Sequence, residues 1–307
     1  MRWDLMLIEV ASVVLFVLGV RHFLKAEKGR AIEFFMMAIY GLILEELDMR
    51  IFKSYHYSPH FNLTLMSVPV SIALLWAVIL AGSMAITDRL GLPKKARPFM
   101  DAILAVWIDL SLDAIAIRLE YWTWSIPMNE GWFGVPAGNL YAWMWVAFAY
   151  SFLARGVREK IKNKSKWIWA YLPLPLFAYV LLFVSMATVG VTGKILGLET
   201  ENQKLIIFAV QFLVFVAIVL RAWPQRQLEK PQSLSGLWTW SRLSMHVYFL
   251  TAYFAIGAHL SLPLLGLLAA VIFIGEIFFL NRLQKFVNLC GAQNISKSVV
   301  IRPLVLD

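Results

Sequence analysis

Charge is scarce in this chain. Asp, Glu, Lys and Arg make up 15% of its 307 residues and 60% are hydrophobic, whereas a soluble domain carries about 25% charged residues. With a mean hydropathy of +0.70, the composition excludes a water-soluble globule and leaves a polytopic membrane protein. Cysteine is almost missing: Cys290 alone excludes an intrachain disulfide and a Cys-rich metal site. The five histidines, His22, His56, His60, His246 and His259, are too few and too scattered for a membrane di-iron centre. No G-x-G-x-x-G follows a strand, no phosphate-binding loop or zinc helix motif occurs, and nothing marks a Ser-His-Asp triad. Long linkers, low-complexity stretches and obvious repeats are also missing, so residues 1–307 read as one integral membrane domain.

What is present is a series of apolar runs. Nine spans are expected, near 4–21, 31–48, 64–87, 98–118, 138–155, 167–190, 204–221, 243–259 and 262–281, most near the roughly 20 residues that a hydrocarbon core requires. The fold class is therefore an all-α membrane helix bundle. The last two spans are separated only around His259 to Leu262, with Pro263 marking the turn; merging them gives an eight-span alternative.

The net charge of +9 is explained by topology rather than by a nucleic-acid partner. Of the 28 Lys and Arg, 22 fall at 21–30, 88–97, 155–166, 221–242 and 282–302. The other 6 are Arg2, Arg50, Lys53, Arg118, Lys194 and Lys204. The basic side is cytoplasmic by the positive-inside rule, which puts the N-terminus outside, the C-terminus inside and the protein in the cell membrane. An eight-span chain would leave the Arg282-to-Arg302 tail outside. The first span carries Asp4 and Glu9 and lacks a basic leader, so it is not a cleavable signal. Asn62-Leu63-Thr64 matches a glycosylation sequon on the outer side. Residues 155–166 form a basic collar that sets topology and attracts anionic lipid. The stretch from Arg221 to Arg242, with Pro224 and Pro231, reads as a surface loop.

Against this apolar background the acids stand out. Asp109 and Asp113 lie four residues apart inside the fourth span, and that spacing puts both on one helical face. An ionised Asp at mid-bilayer costs at least about 2.5 kcal/mol, so such residues face a protein interior and serve a function there. Glu45, Glu46 and Asp48 end the second span, and Asn139 and Tyr141 open the fifth. The intervening loop, Glu120 to Pro136, holds Trp122, Trp124, Trp132 and Phe133. Plainer readings compete. Trp122 and Trp124 suit an interfacial aromatic belt, Glu46 and Asp48 suit wet surface positions, and Asp113 suits a pair with Arg118. Glu45, one turn after Gly41, faces either the bundle or its edge. Glu9 and Glu276 are further intramembrane acids, Glu276 as a helix–helix hydrogen-bonding group, and His246 reads as a satisfied core histidine.

A carboxyl group in an apolar pocket favours its neutral form, and a second carboxyl one turn away adds to that preference. A carboxylic acid kept neutral can protonate a poor base. An isoprenoid double bond is such a base, and protonation gives a tertiary carbocation that aromatic faces stabilise. Water capture then gives a tertiary alcohol; loss of a proton gives an isomer. An intramembrane prenyltransferase would need Mg²⁺ on a diphosphate, two Asp-rich motifs and basic residues; one Asp pair and a base-poor outer side fit this less well. A proton-coupled carrier using the pair as a relay is the third reading, without a visible inverted repeat.

Several residues in order carry a resemblance. They are Glu45; Tyr55-His56-Tyr57; Val68-Pro69 through Trp76; Trp107-Ile108-Asp109-Leu110-Ser111-Leu112-Asp113; Trp122-Thr123-Trp124; and Gly131-Trp132-Phe133-Gly134-Val135-Pro136 on to Asn139 and Trp143. Over about residues 40–145 the chain resembles the membrane carotenoid hydratases of the γ-carotene and bisanhydrobacterioruberin type. The resemblance implies addition of water to a terminal double bond of a lipid-soluble carotenoid or related isoprenoid, with no cofactor and no metal. It implies Asp109 and Asp113 as the acid pair, with Glu45 as their catalytic partner and Asn139 as a positioning group. Tyr55, Tyr57, Trp76, Trp122, Trp124, Phe133, Asn139 and Trp143 are the implied substrate-binding residues. The chain departs from the family at Ala114, where a Pro is usual, and at Glu120 and Ala142, where Gly is usual. Oligomeric state is left open.

Overall fold

The computed structural model describes residues 2–26, 28–163, 165–227 and 234–292. Among them the chain forms α1 (Trp3–Ala26), α2 (Lys28–Ile51), α3 (Val70–Thr87), α4 (Arg97–Ala116), α5 (Ala137–Asn163), α6 (Leu174–Ile195), α7 (Glu201–Ala222), α8 (Gly236–Ala255), a one-turn α9 (Ala258–Ser261) and α10 (Pro263–Ala292). Five of these, α1, α3, α6, α7 and α10, belong to segments long and apolar enough to cross a membrane. The other four long helices are less apolar because they carry most of the buried polar groups: Glu33, Glu45 and Glu46 on α2, Asp101, Asp109 and Asp113 on α4, Ser151 on α5, Arg242 and His246 on α8.

Burial ranks the helices. In α3, 78% of the membrane-length window is buried, against 17–33% in the other four apolar segments. α3 is therefore the central helix, packed against α1, α2, α4 and α8. The peripheral helices leave large apolar side chains exposed, among them Val17, Val184, Leu213 and Ile274, as a lipid-facing surface requires.

The ends are set by local chemistry. Thr200 and Gln203 form a reciprocal capping box that starts α7, and the Ser235 hydroxyl accepts from Leu237 N at 3.3 Å to start α8. These caps move the expected boundaries. The eighth helix starts at Gly236 rather than 243 and ends at Ala255. The chain then reverses at Gly257 (φ 72°), and Pro263 opens α10 instead of marking the turn. The third helix starts after Pro69, not at 64, because residues 64–69 fold back as a hairpin. Its strands β2 (Thr64–Leu65) and β3 (Val68–Pro69) turn through Met66 in a left-handed conformation. The sixth expected span opens in a 3-10 helix, Ser165–Tyr171, and regains α geometry only after Pro173. A second strand pair, β1 (Tyr55–Tyr57) with β4 (Trp122–Trp124), joins two loops. The helical bundle thus carries short strands in its loops, and at β1 and β4 alternating aromatic residues favour strand pairing over helix.

Arginines counted as topology markers turn inward. Arg242 is 1% exposed; its Nε donates to Glu276 Oε1 at 2.5 Å and its Nη2 donates to Glu276 Oε2 at 3.1 Å and to Leu104 O at 2.8 Å. Glu276 is thus half of an ion pair rather than a lone hydrogen-bonding group. Arg155 and Arg158, at the head of the supposed collar, also turn inward, each with its side chain 12% exposed. Arg155 binds Asp101 at 2.8 Å and also Asp88; Arg158 binds Glu33 and reaches Asp88 at 3.4 Å. His246 is a core histidine, as expected, packed against Phe273, but its Nε2 has no hydrogen-bond partner and lies 4.0 Å from Glu276 Oε2, so it is only partly satisfied. Glu9 accepts from the backbone of Asn62 at 2.8 Å and Leu63 at 3.0 Å, and from the Asn62 amide, which occupies the sequon side chain. Lys230, Pro231 and the tail beyond 292 lie outside the described residues, as does the Cys290 side chain.

The Arg242–Glu276 pair generates a stability prediction. Arg242→Leu leaves a buried carboxylate without its partner and lowers stability by about 3–5 kcal/mol. Replacing both residues by Met recovers most of that loss. Thermal unfolding of the three proteins in detergent checks this ordering.

Candidate functional site

The β1–β4 pairing builds the site. Its register sets Tyr55 opposite Trp124 and Tyr57 opposite Trp122. Side chains alternate along a strand, so the four rings share one face while His56 and Thr123 point out to solvent. Below that face lie the acidic helices. The Glu45 carboxyl, on α2, accepts from the hydroxyls of Tyr55 and Tyr57, the latter at 2.6 Å, and from Trp76 Nε1 at 2.6 Å. Asp113, on α4, accepts from Trp122 Nε1 at 2.5 Å, Trp124 Nε1 at 3.3 Å and Asn139 Nδ2 at 2.5 Å. Asn139 Nδ2 also reaches Asp109 Oδ2 at 3.3 Å. The other oxygen of Asp109 is buried without a partner.

All three carboxyls are buried, and every group that hydrogen-bonds them is a neutral donor. None forms an ion pair among the described residues, and Arg118 binds the carbonyls of Ala114 and Phe133 rather than Asp113. Burial, and next the Glu45 carboxyl, push the Tyr55 and Tyr57 phenols well above their ordinary value. Both therefore stay protonated donors.

These groups surround a cavity of about 580 Å³, within the size range of small-molecule sites. Glu45, Asp113, Tyr55, Tyr57, Trp76, Trp122, Trp124, Asn139 and Trp143 line it. Trp76 and Trp143 pack with ring centroids 4.3 Å apart. Two expected residues stand apart from the lining. Asp109 lies behind Asn139, and Phe133 packs on Trp132 at 5.4 Å. Trp122 and Trp124 are strand residues bonded to Asp113, not a belt. Glu46 is buried and binds Arg50 and Ser67 N, and Asp48 lines the cavity with Tyr179 as donor at 3.4 Å.

Sequence reasoning missed several walls: Tyr121 beside β4, Met186 and Gly190 on α6, Phe208 on α7, and Met245 and Phe249 on α8. No motif marks them, since apolar residues in apolar helices look alike. Gly190 and Lys194 are exposed and also line the cavity, so it reaches the surface between α6 and α7. The loop that leads into α5 is strained. Glu120 (φ 56°) and Phe133 (φ 51°) are left-handed, a backbone that glycine favours. Among the described residues no group of three or more His, Cys, Asp or Glu is arranged to hold a metal ion.

Fold and site together define a helical membrane protein with buried, neutrally hydrogen-bonded acids on an aromatic cavity. Residues 2–199 match the family described as carotenoid biosynthesis protein; the chain belongs to that family and acts in carotenoid biosynthesis. No curated protein and no solved structure matches it. The matched stretch holds Glu45, Asp109, Asp113, Asn139 and the rings that surround them; the cavity walls Glu201, Phe208, Met245 and Phe249 lie beyond it.

Gly131 tests the loop. It sits at φ 66°, and a Cβ there would meet Val135 O at 2.2 Å, in the turn where Trp132 N bonds Val135 O. Gly131→Ala lowers stability by more than about 1 kcal/mol, measured as a drop in Tm in detergent.

Proposed function

We propose that the chain is a cofactor-independent carotenoid hydratase that adds water to a terminal isoprenoid double bond. The observation that carries this reading is that two buried carboxyls, Glu45 and Asp113, face one aromatic-walled cavity that reaches the surface beside Gly190 and Lys194. A lipid-soluble chain enters between α6 and α7, and its end group stops between the carboxyls.

Asp113 and Asp109 hold one proton between them, bridged by the Asn139 amide. The Asp113 O–H protonates the CH carbon of the double bond, leaving a tertiary cation at the neighbouring carbon. Trp122, Trp124 and Trp76 turn aromatic faces or edges toward that space, and aromatic faces stabilise a cation in a dry pocket. Glu45, as a carboxylate, adds negative charge and orients a water. The water oxygen bonds to the cation, and its released proton returns to Asp113. Atoms and charge balance: alkene plus water gives tertiary alcohol, and the acid is restored. Asp109 is then a positioning residue that acts through Asp113. We further propose a multi-pass protein of the cell membrane, with the N-terminus outside and the basic end of the bundle cytoplasmic.

Expression in cells that accumulate lycopene or γ-carotene tests this. The expected product is a polar pigment heavier by one water, which carries heavy oxygen when made in oxygen-18 water. Asp113→Asn and Asp109→Asn each lower its yield at least about 100-fold without reducing the protein in the membrane. Unchanged pigments with the protein present would overturn carotenoid hydration, and an altered pigment of unchanged mass would indicate an isomerase. Activity persists in chelator; strict Mg²⁺ dependence would instead assign a prenyltransferase.

A further inference from the structure

A second cavity, of about 690 Å³, lies at the basic end of the bundle and shares no lining residue with the first. Its walls come from the start of α2, the α3–α4 connection, the second half of α5 and the start of α6. Seven basic side chains line it: Arg30, Lys94, Lys95, Arg97, Arg155, Arg158 and Lys160. Asp88 and Glu159 are the acids on the same wall. Glu33 and Asp101 pair with Arg158 and Arg155 from behind. Counting all four acids still leaves an excess of three positive charges around one concavity.

The excess is not absorbed by the fold. Lys95 is exposed and makes no ion pair among the described residues, and Lys160 rests on the Trp167 ring at 4.7 Å. The inward arginines are fixed by their acids and Lys94 pairs with Glu159 at 2.6 Å, so the wall is rigid while Lys95 and Lys160 at its rim make no ion pair among the described residues. The cavity is also amphipathic. Phe152 and Phe177 line it and are 55% and 59% exposed, on the side of the bundle that faces lipid. Along α5, Phe152 and Lys160 are eight residues apart, about 12 Å at the helical rise. A basic rim one such step from an apolar, outward-facing wall fits a molecule with an anionic head and an acyl body.

We propose that this cavity binds an anionic glycerophospholipid, with its phosphate among Lys95, Arg97 and Lys160 and its acyl chains against Phe152 and Phe177. Basic pockets between membrane helices take such headgroups. The occupant ties α2, α5 and α6 together at the end of the bundle opposite the acid-lined cavity.

The test uses the full-length protein purified in neutral detergent. Thermal unfolding is followed with mixed micelles of phosphatidylglycerol, with mixed micelles of phosphatidylcholine, and with inorganic phosphate. Phosphatidylglycerol raises Tm in a saturable way, and the other two do not. The exposed pair Lys95→Gln/Lys160→Gln keeps the lipid-free Tm and binds phosphatidylglycerol about 25-fold more weakly, at about fivefold per lysine. Lys95→Arg/Lys160→Arg restores binding. An equal shift with phosphatidylcholine, an undiminished shift in the Gln variant, or the full shift with inorganic phosphate alone would each overturn the proposal. Should the Gln variant unfold, native mass spectrometry of the Arg variant and wild type decides: retention of phosphatidylglycerol over phosphatidylcholine supports the site, and equal retention overturns it.

Discussion

A carboxyl group buried in an apolar bundle must be given hydrogen-bond donors, and around Glu45, Asp109 and Asp113 all the donors are neutral. That constraint explains the local architecture. Glu45 and Asp113 stand on different helices, and no helix can supply three donors to each from its own face. Two of the three donors to each acid come from β1 and β4, short strands that pair across about 65 residues of chain and hang four rings over the two acids; the third comes from Trp76 on α3 or Asn139 on α5. Lose the strand register and Tyr55, Tyr57, Trp122 and Trp124 turn away together, because a one-residue slip moves every side chain to the other face. The strained loop from Glu120 to Gly134 serves the same end: it carries the chain from Asp113 on α4 to Asn139 on α5, whose amide spans the Asp pair.

The opposite end of the bundle solves the same problem by another means. There Glu33, Asp88 and Asp101 meet Arg155 and Arg158 in direct ion pairs, and Glu276 meets Arg242 deeper in the bundle. A carboxylate held by guanidinium is fixed in its charged form. A carboxyl held only by indole, phenol and amide N–H or O–H groups is free to take up and release a proton. The two kinds of partner separate the ion-paired acids of the framework from the three acids that only neutral donors hold.

Much of this was legible in the sequence, for identifiable reasons. Asp109 and Asp113 declare themselves because acids are costly in apolar spans, and the helices fall close to the apolar runs because length and hydropathy bound them. The Tyr-x-Tyr and Trp-x-Trp alternations were visible, but their pairing was not, since strand partners about 65 residues apart leave no local signal. The inward arginines were misread for a related reason. Arg155, Arg158 and Arg242 sit at positions that charge counting assigns to the membrane surface, and only the packed structure shows that each faces an acid. Counting charges by position treats each Lys and Arg as solvated, and that assumption fails wherever an acid on another helix lies within reach.

The distinction between Asp109 and Asp113 follows from packing alone. Their spacing makes them equivalent on paper, one helical turn apart on one face. In the bundle Asp113 receives three donors and borders the cavity, whereas Asp109 receives one long hydrogen bond and keeps an oxygen without a partner. An unpartnered buried oxygen is costly on an ionised group and cheaper on a neutral one, and the single donor that reaches Asp109 is shared with Asp113. Any change in charge on one is therefore felt by the other through a single amide. The pair thus shares one amide donor, and of the two only Asp113 borders the cavity. This is the arrangement an acid needs if it is to face a hydrocarbon substrate without being left fully charged in an apolar site.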